Sequence, residues 1–336
     1  MFESKKWHDK LPDVNEELNE GYLRLFFETL YERQLIWKKR FIDNKERPWT
    51  DNEILRDNKF TNVYRELDRS SQWEIKNILM DKGLNLENLV WKILVYRTFN
   101  NPQTFEAGIK VGYRNGIPNY EDYDEQEFYY FIEAVRKELG LNPFTSSYFI
   151  HPGIGHNREY NYSLKTIPEL HALVPKLIET AKTAKKPEEI IDLLNSVTYV
   201  SDFVSHEYYQ DFTYIARYTD KEFMRFDQND YTNVGPGVRV GVRLIFPSTK
   251  PKNAIGRITD LRDISELYLN KISEERGEPM PYLYWDGKKY YVSDKCNITL
   301  HQIEMWLCEF SKYWKMMIGE GKQRSKFTPK GKTAML

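Results

Sequence analysis

The stretch FVSHEYYQDFTYIARYTDKEFMRFDQNDYTNVGPGVRVGVRLIFP, Phe203 to Pro247, decides how this chain is read. Helical periodicity runs from Ser201 to Tyr218, breaks, and resumes from Pro236 to Phe246. The break carries Asp227 and Asp230, then Gly235, Pro236 and Gly237. Arg239 and Arg243 follow, four residues apart and so on one face of the second helix. Glycines entering a helix let backbone N–H groups approach an anion, and the helix N-terminus adds partial positive charge. The two arginines can add charge-assisted contacts to phosphate. A carboxylate beside such a turn points to a phosphorylated or polymeric substrate, nucleic acid first. A turn, a helix cap and solvated charges account for the same letters.

Outward from this stretch, most of the chain has helical period. Asn15 to Arg40 places Leu18, Tyr22, Leu25, Phe26, Leu30 and Leu35 on an amphipathic face that ends in Lys38, Lys39 and Arg40. Further helices are expected at Gln72 to Met80, Leu86 to Phe99, Asp124 to Leu139, Ile167 to Thr183, Pro187 to Asn195, Asp260 to Glu275 and Thr299 to Met317. Strand signal is confined to Tyr282 to Val292, where Asp286-Gly287 reads as a two-residue hairpin turn. The chain is mainly α with one small β-hairpin. One helical domain is expected over 1–318, with two lobes meeting near 146–162, followed by a basic tail over 319–336. Lys322 to Thr333 carries five Lys or Arg and no acid.

The 336 residues can bury a sizeable core. No run reaches the roughly 18 apolar residues of a membrane helix, and no signal-peptide core is present, so a cytoplasmic location is expected. Two cysteines, Cys296 and Cys308, make neither a disulfide framework nor a thiolate zinc site. No metal and no cofactor are expected, since the two histidines of His151-Pro152-Gly153-Ile154-Gly155-His156 flank a turn without a fixed carboxylate. The formal net charge of -1 is not that of a basic nucleic-acid binder. The 24 Tyr, 18 Phe and 8 Trp serve either a core or base stacking. No GxxxxGK[ST] sequence occurs, so P-loop kinase activity is not expected in this chain.

Two further stretches carry chemistry-bearing residues. In Arg56 to Trp73, RDNKFTNVYRELDRSSQW, a helix would put Asn62, Arg65, Glu66 and Arg69 on one side; a salt-bridged solvent face has the same pattern. In Thr299 to Tyr313, Glu304, Cys308 and Ser311 share a face, and Glu309 lies at pairing distance from Lys312 and Tyr313. Cys308 reads as a buried structural cysteine.

The order WTDNEIL, FTNVYRELDR, NVGPGVRVGVRLIF and IEMWLCEFSKY resembles the alpha-glutamyl/putrescinyl thymine pyrophosphorylases of phage thymine hypermodification. The helical domain of 5-hydroxymethyluracil DNA kinases is similar. The resemblance runs from about Tyr31 to about Tyr313. It implies a helical fold related to helix-hairpin-helix DNA glycosylases, with Val204 to Tyr209 as a degenerate hairpin in which Ser205 and His206 replace a Gly-x-Gly turn. The resemblance is to phage and bacterial proteins, and a phage-encoded member would act in the host cytoplasm. The implied substrate is duplex DNA carrying phosphorylated or pyrophosphorylated 5-hydroxymethyluracil, on which an amino acid or polyamine nitrogen displaces the phosphate. A separate DNA kinase is an implied partner.

The implied catalytic residues are Asp230, Glu66 and Arg65. The implied phosphate or DNA contacts are Asn62, Arg69, Gly235, Gly237, Arg239, Arg243, Lys312 and Tyr313. Trp49, Asp68, Gly241, Glu304, Cys308 and Glu309 also fall in the shared motifs. Two readings stand beside transfer: a DNA glycosylase, and a non-catalytic module that binds modified DNA for a kinase.

Overall fold

The structure, a computed structural model, describes residues 10–12, 15, 17–147 and 150–321. The basic tail from Lys322 onward lies outside the described residues. In chain order the α-helices are α1 (Glu20–Phe41), α2 (Glu53–Asp57), α3 (Arg69–Glu74), α4 (Leu86–Phe99), α5 (Pro102–Lys110), α6 (Glu125–Lys137) and α7 (Arg158–Asn161). They continue with α8 (Ile167–Thr183), α9 (Glu188–Asn195), α10 (Asp202–Tyr218), α11 (Pro236–Ile245), α12 (Ala254–Asp263), α13 (Ser265–Arg276) and α14 (Leu300–Met317). Strands β1 (Tyr282–Trp285) and β2 (Tyr290–Ser293) pair antiparallel, Tyr282 opposite Ser293 and Trp285 opposite Tyr290. The class is therefore mainly α with one hairpin, as the periodicity requires.

The chain divides into two compact units. One comprises the described parts of Met1–Asp68 and Thr232–Leu336, and the other is Arg69–Tyr231. The 146–162 loop, where two lobes are expected to meet, lies inside the second unit. Asn161, fully buried, donates from its side chain to the carbonyls of Pro152 (3.0 Å) and His156 (2.9 Å), which ties that loop to α7.

In the first unit, α1 starts at Asn19, whose side chain accepts the Tyr22 N–H at 2.9 Å, and ends in Lys38, Lys39 and Arg40, as the helix dipole favours. Its buried face of Leu23, Phe26, Phe27, Leu30 and Trp37 meets α14, where the Trp306 indole donates to the Phe26 carbonyl at 3.2 Å. Phe26 also packs edge-on against Phe310, with centroids 5.5 Å apart. α14 begins with a capping box between Thr299 and Gln302. It buries Trp306, Phe310 and Trp314 completely, and truncating any one of these would cost about 3–5 kcal/mol.

In the second unit, α4 is apolar around its circumference and is correspondingly buried, Val90, Trp91, Ile93, Leu94, Val95, Tyr96 and Phe99 entirely so. α8 and α10 pack against it. Lys92, also within α4, is satisfied by the carbonyls of Arg114 (2.9 Å) and Ile117 (2.5 Å). Burial, aided by the Arg114 charge, lowers its pKa to about 8.

Several expectations need correction. Arg56 to Trp73 is not one helix: α2 ends at Asp57, the backbone is extended near Tyr64, Arg65–Leu67 is a single 3-10 turn and α3 starts at Arg69. Buried side-chain hydrogen bonds around Asn62 override the helical period there. Asp260 to Glu275 is two helices broken at Ile264. The hairpin loop has four residues, not two, because Asp286 caps the N–H groups of Lys288 and Lys289 at 2.8 and 2.9 Å. Val204 to Tyr209 is no hairpin but the interior of α10. Ser205 and His206 are buried there, and the Ser205 hydroxyl donates to Asn195 at 2.5 Å.

Candidate functional site

All four motif stretches lie in the first unit, Arg69 at the end of the second stretch excepted. Asn52 caps α2 by accepting the Leu55 N–H at 3.2 Å, and its amide donates to the Tyr313 hydroxyl on α14 at 3.0 Å. Thr50 donates to the Glu32 carboxylate and accepts the Asn52 N–H at 3.0 Å. The Trp49 ring is flanked by the guanidinium groups of Arg40 and Arg47, 5.2 and 5.7 Å from its centroid. Burial, and then the neighbouring Arg47 charge, lowers the pKa of Arg40.

The centre of this cluster is Asn62. Its side-chain oxygen accepts from Arg33 of α1 at 2.7 Å, and its NH₂ donates to Asp68 (2.8 Å) and to the Leu67 carbonyl (2.9 Å). Its backbone N–H also donates to Asp68, at 3.0 Å. Arg65 Nε lies 3.6 Å from the other Asp68 oxygen. Burial raises the Asp68 pKa against the opposing pull of Arg65, Asn62 and Arg33. Burial likewise lowers Arg33 to about 10, with Asp68 and Glu309 working the other way. On α14, Glu309 accepts the Thr61 N–H at 3.3 Å and pairs with Lys312 at 2.8 Å. The Lys312 ammonium sits 5.3 Å from the Phe60 ring centroid.

The expected site residues are therefore placed unequally. Arg65, Glu66 and Asn62 share the first unit with Lys312 and Tyr313, but Glu66, Asn62 and Tyr313 are buried. Burial raises the Tyr313 hydroxyl, and Asn52 pulls it back. Arg69 is exposed and belongs to the second unit.

The fourth stretch is α11, which packs along α14. A Cβ at Gly237 would stand 2.6 Å from the Cys308 sulfur, and one at Gly241 would be driven into the Leu307 carbonyl, so both glycines permit close helix packing. Gly235, the N-cap, faces open space instead. Arg239 is exposed and donates back to the Val234 carbonyl at 3.1 Å, while Arg243 is half-buried. Cys308 is exposed rather than buried, although its sulfur packs close against Gly237. Desolvation by the surrounding protein, with Glu309 and Glu304 adding to it, still pushes the thiol up to about 12, which makes it a poor nucleophile.

Asp230 belongs to the second unit, is exposed, and accepts the Asp227 N–H at 2.7 Å within its own turn. Asp227 in turn accepts the Asn229 N–H at 2.6 Å. Pattern reasoning missed the most concentrated charge in that unit. Arg97 of α4 is bidentate to Asp211, 3.1 Å from Glu74 and 3.4 Å from Glu207. A lone arginine in the apolar run LENLVWKILVYRTF was the available signal. Arg33 carried none, since its neighbours on α1 are mixed.

The chain belongs to the family described as 5-hmdU DNA kinase, helical domain, whose model matches residues 20–323. It is 28% identical over 301 residues to a 5-hmdU DNA kinase of Bacillus phage SP10, covering 86% of this chain and 44% of that protein. The chain thus spans less than half the length of this curated relative. No solved structure matches.

Proposed function

We propose that this chain is a DNA base-modifying transferase acting on phosphorylated or pyrophosphorylated 5-hydroxymethyluracil in duplex DNA. An amino acid or polyamine nitrogen attacks the 5-methylene carbon, the carbon–oxygen bond breaks, and the phosphate or pyrophosphate departs with the electron pair. The proton released by the amine passes to a carboxylate. The observation that supports this reading is the cluster of motif residues around Asn62, in which a carboxyl with raised proton affinity, Asp68, lies beside the cations Arg33 and Arg65. A carboxyl with raised proton affinity suits a general base, and fixed cations suit a departing anion. Asp68 fits the base role better than the buried Glu66. Arg239, Arg243 and the open N-terminus of α11 are the second set of proposed phosphate contacts.

A second reading is that the chain binds modified DNA for a kinase. It is favoured by the relative of that name being more than twice as long as the part matched here.

One experiment separates them. The protein is incubated with duplexes bearing 5-hydroxymethyluracil, its phosphate or its pyrophosphate, together with amino acids and polyamines, and the DNA is digested for nucleoside mass analysis. An amine adduct supports transfer. Free base or an abasic site supports a glycosylase, and binding without product supports the kinase-partner reading. Asp68→Asn and Asp230→Asn are run in parallel; loss of turnover with retained DNA affinity in one of them identifies the base.

A further inference from the structure

The second unit contains a cavity of about 560 Å³ lined by Arg136 of α6, Gly140, Leu141, Asn142, Pro152, and Arg158 and Glu159 of α7. Its chemistry is unusual for a surface depression. Glu159 is only 2% exposed, and one carboxylate oxygen accepts from Arg136 at 2.5 Å while the other, itself buried, has no hydrogen-bond partner. A buried carboxylate oxygen left without a donor costs free energy unless something supplies one. Arg158 has the complementary deficit. Its guanidinium lies 5.2 Å from the Phe144 ring centroid, and its buried Nε–H has no acceptor. Arg136 keeps more than half of its side chain exposed beyond its bond to Glu159.

The cavity lining therefore carries two guanidinium groups and a carboxylate, Arg136 and Glu159 already paired with each other. Two arginines against one glutamate give it a formal charge of +1. A polyamine would meet net repulsion, and inorganic phosphate would leave the Glu159 oxygen unserved. A small molecule carrying both a carboxylate and an ammonium complements this mixed lining. The wall that includes Pro152 belongs to the His151–His156 loop, held by Asn161, and a side chain at Gly153 would collide with that asparagine. This gives a structural use to the glycine-rich loop that its sequence alone left unassigned.

We propose that this cavity binds a free amino acid as its zwitterion, carboxylate toward Arg158 and Arg136 and ammonium toward Glu159. The role of that amino acid as the amine donor rests on the transfer reading above; the binding itself does not, and is measured without DNA.

The test is calorimetric titration of the full chain with L-glutamate, glycine, acetate, putrescine and inorganic phosphate. Saturable binding of an amino acid, absent for acetate, putrescine and phosphate, is expected. Glu159→Gln and Arg158→Gln should each weaken it by about tenfold or more. Arg136→Gln, at a largely exposed side chain that keeps a hydrogen-bond donor beside Glu159, should weaken it less. Far-ultraviolet circular dichroism checks that each variant is folded. Binding of putrescine or phosphate in preference, amino acid binding unchanged in folded Glu159→Gln and Arg136→Gln, or no binding by any probe would each overturn the proposal. If amino acid binds but no adduct forms on DNA, the transfer reading fails while the cavity assignment stands.

Discussion

Arg33 in the first unit and Arg97 in the second are both helix residues facing carboxylates, yet their surroundings pull them in opposite directions. Burial lowers Arg97, but Asp211, Glu74 and Glu207 more than offset it and hold its pKa well above the usual value. At Arg33 burial wins, because Asp68 and Glu309 act without a direct bond and a neutral amide, Asn62, accepts the guanidinium instead. Paired directly and fully buried, Arg97 is a folding element. Arg33 is half-buried and bridged through an amide, so it leaves part of its field for something else. Buried charges that are matched among themselves specify a core; those left partly unmatched mark where a ligand's charge would be welcome.

That contrast can be broken first at Arg97. Arg97→Met leaves three carboxylates in the core and should cost about 3–5 kcal/mol in urea unfolding, whereas Arg33→Met should cost clearly less. Equal losses would erase the distinction. Next, Asn62→Ala removes the amide that connects Arg33 to Asp68 and should cost roughly 1–3 kcal/mol, because Arg33, Asp68 and the Leu67 carbonyl each lose a partner. Gly241→Ala tests whether the first unit depends on close approach of α11 to α14; driving a methyl into the Leu307 carbonyl should cost about 1–3 kcal/mol by thermal melting.

The pH dependence is a finer probe. Because the folded pKa of Asp68 is raised, its contribution is fully present below the unfolded carboxylate value of about 3.9 and is lost as pH rises through the folded pKa. The difference in melting temperature between the wild-type protein and Asp68→Asn should therefore move against the wild type as pH climbs from that value. A difference that does not change with pH would remove Asp68 from the role of base. The smallest expected effect on stability is at Lys312, whose side chain is 42% exposed. Lys312→Ala should change stability by less than about 1 kcal/mol while lowering the salt slope of DNA affinity by about 1 if it meets a phosphate.

Some elements were legible because local causes suffice. Leu86–Phe99 and Ile167–Thr183 have the bounds their periodicity predicts, and α14 begins where its capping box does. α5 is not among the expected helices, and it carries Pro102 at its first position and Gly108 near its end, residues that weaken a helical signal. Gly108 is instead where the chain passes so close to the Gly116 carbonyl that no side chain fits. The stripe through Asn62 and Arg69 misled because side-chain bonds from Asn62 to Asp68 and Arg33 displaced the helix that spacing alone favoured. Gly237 and Gly241 stand out in the sequence as glycines at a helix start, but what they meet is α14, more than 60 residues away in sequence.

The sequence by itself determined the helical class, the hairpin and most helix termini, since these depend on spacing and caps within a few residues. Only the tertiary structure decided what each charge is for. Desolvation and pairing depend on groups far apart along the chain: Arg97 meets Asp211 across 114 positions, and Thr61 meets Glu309 across 248. No local pattern encodes which carboxylate will be buried with which cation, so Asp68 and Glu159 emerged as residues to test only once their surroundings were known.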